Sequence, residues 1–342
     1  MSTVQDSAFE DPTETTPLKI VHTTGSSVTS LSRGAGFYFQ FAHLVVVVVG
    51  AAANVLVLYA MLASKQHKKH VLIFNQNVLD LVNCFFAIVK LPVILSNVYL
   101  SGTSGYWLCL TILSNAGSSL AYYGSQINLA AISIERYLKV LHHTWAKKKL
   151  RSWMIYSAIV FAWISGIGIT AAVIIPTTAV VNGVCYSGTF FFSKTARKVY
   201  GIWDFLSFYV IILLIFIFCY GRILMAIRRQ AKVMAAHSAG GSNTAQDQLN
   251  KIQTSVIKTM ILVSGLYAVT WAPAYIFVLR LNVHSELTID EKGLYAVLSI
   301  AYLYTCINPF IYATKFDPVK LVLLSLIPCK KNTQPPENIE IN

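Results

Sequence analysis

Charged and amide side chains lie inside long apolar stretches of this sequence, where ion pairing and cation binding are the chemistry available to them. Asp80 lies in the segment NQNVLDLVN, and Glu135 and Arg136 follow a stretch, 109–134, that contains no Asp, Glu, Lys or Arg. A buried carboxylate needs either a bound cation with hydroxyl and amide ligands or hydrogen bonds that keep it neutral. Both interpretations of Asp80 remain open. The Glu-Arg pair must likewise face water or satisfy its own charges.

The composition is that of a membrane protein. Of the 342 residues, 55% are hydrophobic and 12% are charged, whereas about a quarter of the residues in a soluble domain are charged. The net charge of +13 would suit nucleic acid, but the basic residues cluster between apolar stretches, as they do beside a membrane. We therefore expect membrane lipids as the surroundings and no nucleic-acid partner.

Seven apolar stretches are long enough to cross a membrane as helices. A hydrocarbon layer of about 30 Å needs roughly 20 residues at about 1.5 Å per residue. The stretches are 37–62, 71–98, 107–141, 153–176, 199–227, 256–283 and 293–314. The predicted fold is an all-α membrane protein, with a seven-transmembrane helix bundle over residues 37–314.

Lys and Arg residues in the short connections determine the predicted orientation, because such residues concentrate on the cytoplasmic side. They follow the first, third and fifth stretches, whereas residues 1–36 are polar and net acidic. The segment 1–36 is therefore predicted to be extracellular and disordered. Residues 230–250, with Gly-Gly-Ser-Asn, are predicted to form a flexible loop. Residues 315–329 are predicted to form a short amphipathic helix on the membrane surface, and 330–342 a disordered cytoplasmic tail.

The apolar stretches carry no pattern typical of an enzyme. They contain no His-x-x-x-His and no clustered pair of carboxylates, and we expect no catalytic residues. A helical-bundle transporter is a less favoured alternative, because transporters often consist of two related halves. This sequence has no internal repeat.

Three motifs lie at specific places in the predicted spans. Glu-Arg-Tyr at 135–137 ends the third span, Trp-Ala-Pro at 271–273 lies in the sixth, and Asn-Pro-Phe-Ile-Tyr at 308–312 ends the seventh. Together they resemble the signatures of rhodopsin-like (class A) G protein-coupled receptors. Thr270 and Tyr267 stand where that family usually has cysteine and phenylalanine. The resemblance implies a plasma-membrane receptor that passes binding of an extracellular ligand to a heterotrimeric G protein, with arrestin as a further partner.

The resemblance also implies roles for individual residues. G protein coupling and activation would depend on Glu135, Arg136, Tyr137, Tyr220, Trp271, Pro273, Asn308, Pro309 and Tyr312. At rest Arg136 would pair with Glu135, and outward movement of spans five and six would free it. Some members brace this arginine with an acidic residue on span six, where this chain has Gln253. Higher basal activity is therefore expected.

A sodium site and a lipid anchor are implied in the same way. Asp80, Ser125 and Asn308 match the family's sodium-binding cluster, so a bound sodium ion is expected and no other cofactor. Cys329, just past the amphipathic segment, is a candidate for palmitoylation, with a free cytosolic thiol as the alternative.

A disulfide between Cys109 and Cys185 is implied because both cysteines would lie on the oxidising outer side. Cys109 precedes Arg136 by 27 positions, which is more than is usual in the family. Either the start of the third span is irregular, or the disulfide is displaced.

Two positions exclude classes of ligand. Amine receptors of the family have an aspartate where this chain has Ser118, and light-sensing members have a retinal-binding lysine where it has Tyr302. The charged candidates for the outer cavity are Lys90, Asp204 and Arg280, although both basic side chains could instead extend to the membrane surface. We expect Asp204 and Lys90 to contact opposite charges of one ligand.

The predicted ligand is a peptide. The segment 135–142 is most similar to the peptide-receptor part of the family, and the loop with Tyr186 and Phe190-Phe191-Phe192 could form a hairpin over the cavity. Against this, Ile212 replaces the proline common in span five, as in some lipid receptors. A lipid or other small molecule is therefore the alternative ligand.

Overall fold

The computed structural model describes residues 35–96, 98–187, 193–237, 244–284, 291–315 and 317–326. Its α-helices are α1 (Ala35–Ala63), α2 (Val71–Leu95), α3 (Gly102–Leu108), α4 (Ala116–Leu141), α5 (His143–Lys149), α6 (Ser152–Val173), α7 (Lys194–Asp204), α8 (Ile211–His237), α9 (Thr244–Val283), α10 (Glu291–Lys315) and α11 (Asp317–Ser325). Strands β1 (Ala179–Val181) and β2 (Val184–Tyr186) form an antiparallel hairpin. Most of the predicted segment 1–36, the tail 330–342 and Cys329 lie outside the described residues.

Each predicted span is largely helical in the structure. Lipid offers the backbone no hydrogen-bond partner, so an apolar stretch of this length satisfies its peptide groups within a helix. Among the described residues, five helices are long and apolar enough to cross a membrane: Gln40–Ala63, Val71–Ile94, Ser152–Val173, Lys194–Arg229 and Ile257–Val283. The third and seventh spans are α4, which buries several polar side chains, and α10, whose apolar part is the shorter Ala296–Ile311.

Helix α4 lies at the centre of the bundle, where it packs against α2, α6 and α8. Its approach to α6 is close because Gly166 has no side chain. A Cβ atom added there would lie 2.3 Å from the carbonyl oxygen of Leu120. Small residues let membrane helices approach in this way. Helix α1 closes the other side of the bundle against α2 and α10.

The third span is irregular at its outer end. Helix α3 passes into a π-helical turn, Cys109–Leu113, and α4 begins again only after Ser114 and Asn115. Asn115 adopts the left-handed conformation with φ 64°, which asparagine tolerates better than most residues. The long separation of Cys109 from Arg136 is therefore absorbed in this break, as one of the two sequence-based alternatives predicted.

The hairpin β1–β2 lies beside this break. Its turn, Asn182-Gly183, has positive φ at both residues, which is the requirement of a type I′ turn. The predicted disulfide joins Cys109 to Cys185 of β2, with the two Cα atoms 5.4 Å apart, and so ties the hairpin to the third span. Tyr186 ends β2, and the neighbouring Phe190-Phe191-Phe192 lie outside the described residues.

The prediction of a flexible loop over residues 230–250 is wrong in its boundaries. Helix α8 continues to His237, and α9 begins at Thr244. The first extension, QAKVMAAH, is rich in Ala, Gln, Lys and Met, and the second, TAQDQLN, contains Ala, Gln and Leu, all of which have high helix propensity. The fifth span also contains a π-helical turn, Phe205–Val210, in a segment that has no proline. After α10, the short helix α11 forms where an amphipathic helix was predicted.

Candidate functional site

A cavity of about 700 Å³ lies between the halves of the helices that are predicted to face the outside, and the hairpin contributes Cys185 to its wall. Four of the five ligand-binding candidates predicted from the sequence line it. They are Lys90, Ser118, Asp204 and Tyr302. Arg280, the fifth, is exposed on α9 and is not part of the lining. The structure thus brings the two opposite charges, Lys90 and Asp204, to one cavity.

Lys90 is held by the break in the third span. Its Nζ donates a hydrogen bond of 2.6 Å to Oδ1 of Asn115, the residue whose left-handed backbone starts α4. Among the described residues, Lys90 has no ion-pair partner. Its ammonium group therefore faces the cavity with its charge uncompensated.

Asp204 ends a chain of hydroxyl groups on the opposite side. The Tyr123 hydroxyl donates to Oδ1 of Asp204 at 2.9 Å, and the Tyr123 and Tyr200 oxygens are 3.0 Å apart. Because a hydroxyl has only one proton to give, Tyr200 is the donor in that second contact. Tyr200 and Asp204 are four residues apart on α7 and share a face, a spacing from which Tyr200 could have been predicted. Asp204 also has no ion-pair partner within the described part of the chain.

Aromatic side chains form the inner end of the cavity. Tyr122 and Trp271 lie with ring centroids 4.7 Å apart. The hydroxyls of Tyr267 and Tyr275, on α9, donate to the same backbone carbonyl, that of Phe208, at 2.5 and 3.1 Å. This carbonyl lies in the π-helical turn of span five. The two tyrosines precede and follow Pro273 on α9, so the turn joins the fifth span to the sixth on both sides of that proline.

Tyr302 and Ser118 complete the lining. The Tyr302 hydroxyl donates to Oδ1 of Asn83 at 3.0 Å, and its ring meets His43 edge to face at 4.8 Å. Sequence reasoning missed Asn83 and His43 as neighbours, because each contact joins helices that are distant in the chain.

A second site surrounds Arg136 at the other end of α4. Its Nη2 lies 3.5 Å from Oε2 of Glu135, the pairing predicted from the resemblance. The same nitrogen lies 3.3 Å from Nδ1 of His70, at the start of α2. Lys139 Nζ lies 2.5 Å from the other Glu135 oxygen. The carboxylate of Glu135 is therefore shared between two cations.

His70 can accept the Arg136 hydrogen bond only when Nδ1 is unprotonated. Burial, and then the Arg136 guanidinium, lower the pKa of His70 to about 4. The imidazole is neutral at physiological pH, with its proton on Nε2. The sequence did not indicate this contact, which joins residues 66 positions apart.

The remaining motif residues lie on α4, α8, α9 and α10. The Tyr220 hydroxyl lies 3.0 Å from that of Ser133, which links α8 to α4. Tyr137 packs against Phe218 with ring centroids 5.4 Å apart. Pro309 lies within α10, and the side chains of Tyr312 and Gln253 lie outside the described part of the chain.

Asp80 lies buried at mid-bundle among the residues predicted to form a sodium site. Ser125 donates to its Oδ1 at 3.3 Å, and Asn308 donates to its Oδ2 at 3.5 Å. Gln76, four residues before Asp80 on α2, also donates to Oδ1 at 3.3 Å. Sequence reasoning missed Gln76 although the spacing places it on the same helix face. Sodium at this cluster stays a prediction.

Comparison with known proteins places these sites in context. The family described as 7 transmembrane receptor (rhodopsin family) matches residues 53–312, a range that contains Asp80, Lys90, Arg136 and Asp204. The crystal structure of squid rhodopsin superposes with a TM-score of 0.68 over 86% of this chain and 85% of that chain, at 18% identity. This likeness is one of fold.

Two curated relatives align over most of the chain. The melatonin receptor type 1C of Xenopus laevis is 25% identical over 323 residues, which are 90% of this chain and 72% of that receptor. The QRFP-like peptide receptor of Branchiostoma floridae is 22% identical over 327 residues, 92% of this chain and 84% of that receptor. One is named for a small molecule and the other for a peptide, so the similarity identifies no single class of ligand.

Proposed function

This chain belongs to the rhodopsin family of seven-transmembrane receptors, and on that basis we propose that its ligand is an extracellular peptide bound between Lys90 and Asp204. Members of the family are signalling receptors that couple to G proteins, and they are not enzymes. The chain is a multi-pass protein of the plasma membrane. The fold class predicted from the sequence is thereby confirmed.

The single observation that supports a peptide is the pair of uncompensated charges in the outer cavity. Lys90 is bonded to a neutral amide and Asp204 to a neutral hydroxyl, so neither group has an opposite charge beside it among the described residues. A buried charge such as that of Asp204 is costly unless a partner arrives. A peptide carries amino and carboxyl groups that can reach both, whereas a lipid chain would leave at least one of them unpaired.

A small uncharged molecule is the second candidate. It is supported by the aromatic inner end, where Tyr122 and Trp271 offer stacking faces, and by the relative that is named for melatonin. Such a ligand would bind deep in the cavity and would not depend on both charges.

The inner site supports coupling through Arg136. Its contacts with Glu135 and His70 hold the guanidinium on the α2 and α4 side of the bundle. Movement of span six, kinked at Pro273, would open a cleft beside it in which a G protein can bind. Arrestin binds the same inner surface of the active state in this proposal, and the N-terminus is extracellular.

Ligand-free signalling tests the coupling. Cells expressing the native chain are compared with cells expressing Arg136→Ala at matched surface expression, with cAMP, calcium and G protein dissociation measured together. We expect at least one readout to shift for the native chain alone. If neither receptor shifts a readout, arrestin recruitment is measured instead while the peptide library is screened. A receptor that recruits no arrestin under those conditions contradicts the proposal.

A ligand screen tests the binding site. A library of short peptides with free or amidated termini is applied together with melatonin, and active compounds are retested on Asp204→Asn and Lys90→Gln. Loss of a charge-assisted hydrogen bond of about 1.5 kcal/mol is expected to reduce potency roughly tenfold in each variant. Arg280→Gln is the matched control, because it removes an exposed charge outside the cavity. Normal potency in both cavity variants contradicts the peptide proposal and favours the uncharged ligand.

A further inference from the structure

We propose that the side-chain amide of Gln76 takes the place beside Asp80 that the family resemblance gives to a sodium ion, so that this receptor is insensitive to sodium. Gln76 lies on α2, one helical turn before Asp80. Both side chains are buried, with exposed fractions of 0% and 1%. Neither residue lines the ligand cavity, so their interaction does not depend on the identity of the ligand.

The groups that surround Asp80 are hydrogen-bond donors. Gln76 Nε2 lies 3.3 Å from Oδ1 of Asp80 and 2.5 Å from Oγ of Ser125. The Ser125 hydroxyl accepts a hydrogen bond from Gln76 and donates one to Asp80. A hard cation needs oxygen lone pairs at these places. Here a lone pair of Ser125 and one side of the carboxylate are already occupied by N–H and O–H groups.

The orientation of the Gln76 amide follows from a chain of hydrogen bonds that begins at Trp163. An indole N–H can only donate, and it donates to Oδ1 of Asn75 at 3.0 Å. Asn75 must therefore present its Nδ2, which donates to Oδ1 of Asn128 at 3.0 Å. The Nδ2 of Asn128 in turn donates to Oε1 of Gln76 at 2.8 Å. The orientation of each amide therefore determines the orientation of the next one.

A backbone carbonyl determines the orientation of the Asn128 amide, and hence that of Gln76, independently of Trp163. Asn128 Nδ2 also donates to the carbonyl oxygen of Leu72 at 3.0 Å, and a carbonyl can only accept. If Gln76 were turned over, its NH₂ group would face the NH₂ group of Asn128, and its oxygen would face the Asp80 carboxylate. Both contacts would be repulsive, so the donor end of Gln76 faces Asp80.

Displacing the amide would be costly. Gln76 would lose its bonds to Asp80, Ser125 and Asn128 while its side chain stayed buried, and an unsatisfied buried donor is destabilising. Asn308 Oδ1 is a buried acceptor with no hydrogen-bond partner among the described residues, and it would suit a cation. However, the nitrogen of that amide is what faces Asp80. On the side of Gln76, the acceptor oxygens of the cluster are therefore already occupied by hydrogen bonds from its own side chains.

The test measures thermal unfolding of the purified full-length receptor in sodium chloride and in choline chloride at equal ionic strength. The native receptor is expected to unfold at the same midpoint in both salts. Gln76→Leu removes the donor, and its midpoint is expected to rise in sodium. Adding Asp80→Asn to that variant should abolish the rise, because the carboxylate is needed for the ion.

Two results would overturn the proposal. One is a native midpoint that rises in sodium and loses the rise in Asp80→Asn. The other is a folded Gln76→Leu receptor that stays insensitive, since Gln76 would then not be what excludes sodium. If the leucine variant does not fold, Gln76→Met keeps the length of the side chain and takes its place in the comparison. A native midpoint that is the same in both salts excludes the first result without any variant.

Discussion

Arg136 is restrained by side chains of α2 and α4, and its contacts explain how a resting state can hold with Gln253 in place of an acidic residue. The side chain of Glu135 is 8% exposed, and its carboxylate pairs with both Arg136 and Lys139. The neutral His70 imidazole supplies a second acceptor from α2. The guanidinium Nε has no hydrogen-bond partner among the described residues. The restraint is therefore incomplete, which agrees with the expectation of raised basal activity.

Loss of the His70 acceptor is expected to raise ligand-free signalling. A hydrogen bond to a charged group contributes about 1.5–3 kcal/mol, so His70→Ala should increase the active fraction by about tenfold or more. His67→Ala is the matched control, because His67 packs against Phe74 and not against Arg136. Ligand-free G protein dissociation at equal surface expression measures the effect. Equal activity of the two variants would contradict a restraining role for His70.

Acid is expected to destabilise the receptor through the same residue. Burial, followed by the positive charges of Arg136, Lys139 and Lys69, lowers the pKa of His70 to about 4, and the negative charge of Glu135 opposes the shift. The unfolded chain binds the proton first, near the ordinary pKa of about 6.5. The stability contributed by neutral His70 is complete above pH 6.5 and is lost as the pH falls toward 4. The thermal midpoint of the native receptor should therefore fall over this window more steeply than that of His70→Gln, which does not titrate. Parallel curves would count against this assignment.

At the scale of elements, the contact between α4 and α6 depends on the absence of a side chain at Gly166. The backbone of Leu120 lies where a Cβ atom would be. Backbone cannot move aside as the end of a flexible side chain can, so the two helices would have to separate. On the same helix, a Cβ added at Gly168 meets nothing within 4 Å.

Gly166→Ala is expected to lower the thermal midpoint of the purified receptor, and Gly168→Ala is not. Overpacking of this kind costs about 1–3 kcal/mol, whereas alanine at an open helical position has the better helix propensity. The pair differs only in where the methyl group points. A Gly166→Ala receptor as stable as Gly168→Ala would show that the helices do not pack this closely.

The elements were more predictable than the contacts between them. Apolar length alone located the spans, because lipid leaves the backbone no alternative to a helix. The break at Asn115 was indicated only by the long separation of Cys109 from Arg136. Gln76 and Tyr200 could have been found from their spacing of four residues to Asp80 and Asp204. The contact between His70 and Arg136 could not have been predicted in this way, because the two residues are 66 positions apart and no local sequence pattern relates them.

At the scale of the whole molecule, basic residues mark one end of the bundle. Lys147, Lys148 and Lys149 lie on α5, directly after α4, and Arg228 and Arg229 lie near the end of α8. These helix ends lie on the same side as Arg136, because successive spans alternate in direction. Positive residues remain on the cytoplasmic side, so this end faces the G protein in the proposed orientation.

The orientation is tested with epitope tags. A tag fused before Met1 is expected to bind antibody on intact cells, whereas a tag after Asn342 should bind only after the membrane is made permeable. Flow cytometry of the two tagged receptors measures this directly. Labelling of the C-terminal tag on intact cells would reverse the proposed orientation.

The polar character of the third helix also affects how the chain is made. Helix α4 buries Ser125, Gln126, Asn128 and Ser133, and each polar group adds to the cost of transferring a newly synthesised segment into lipid. Helix α2 carries the partners of Asn128, namely Asn75 and Gln76. The third segment is therefore expected to leave the translocon together with the second, as a hydrogen-bonded pair. During biosynthesis, the second span thus serves as an insertion partner for the third.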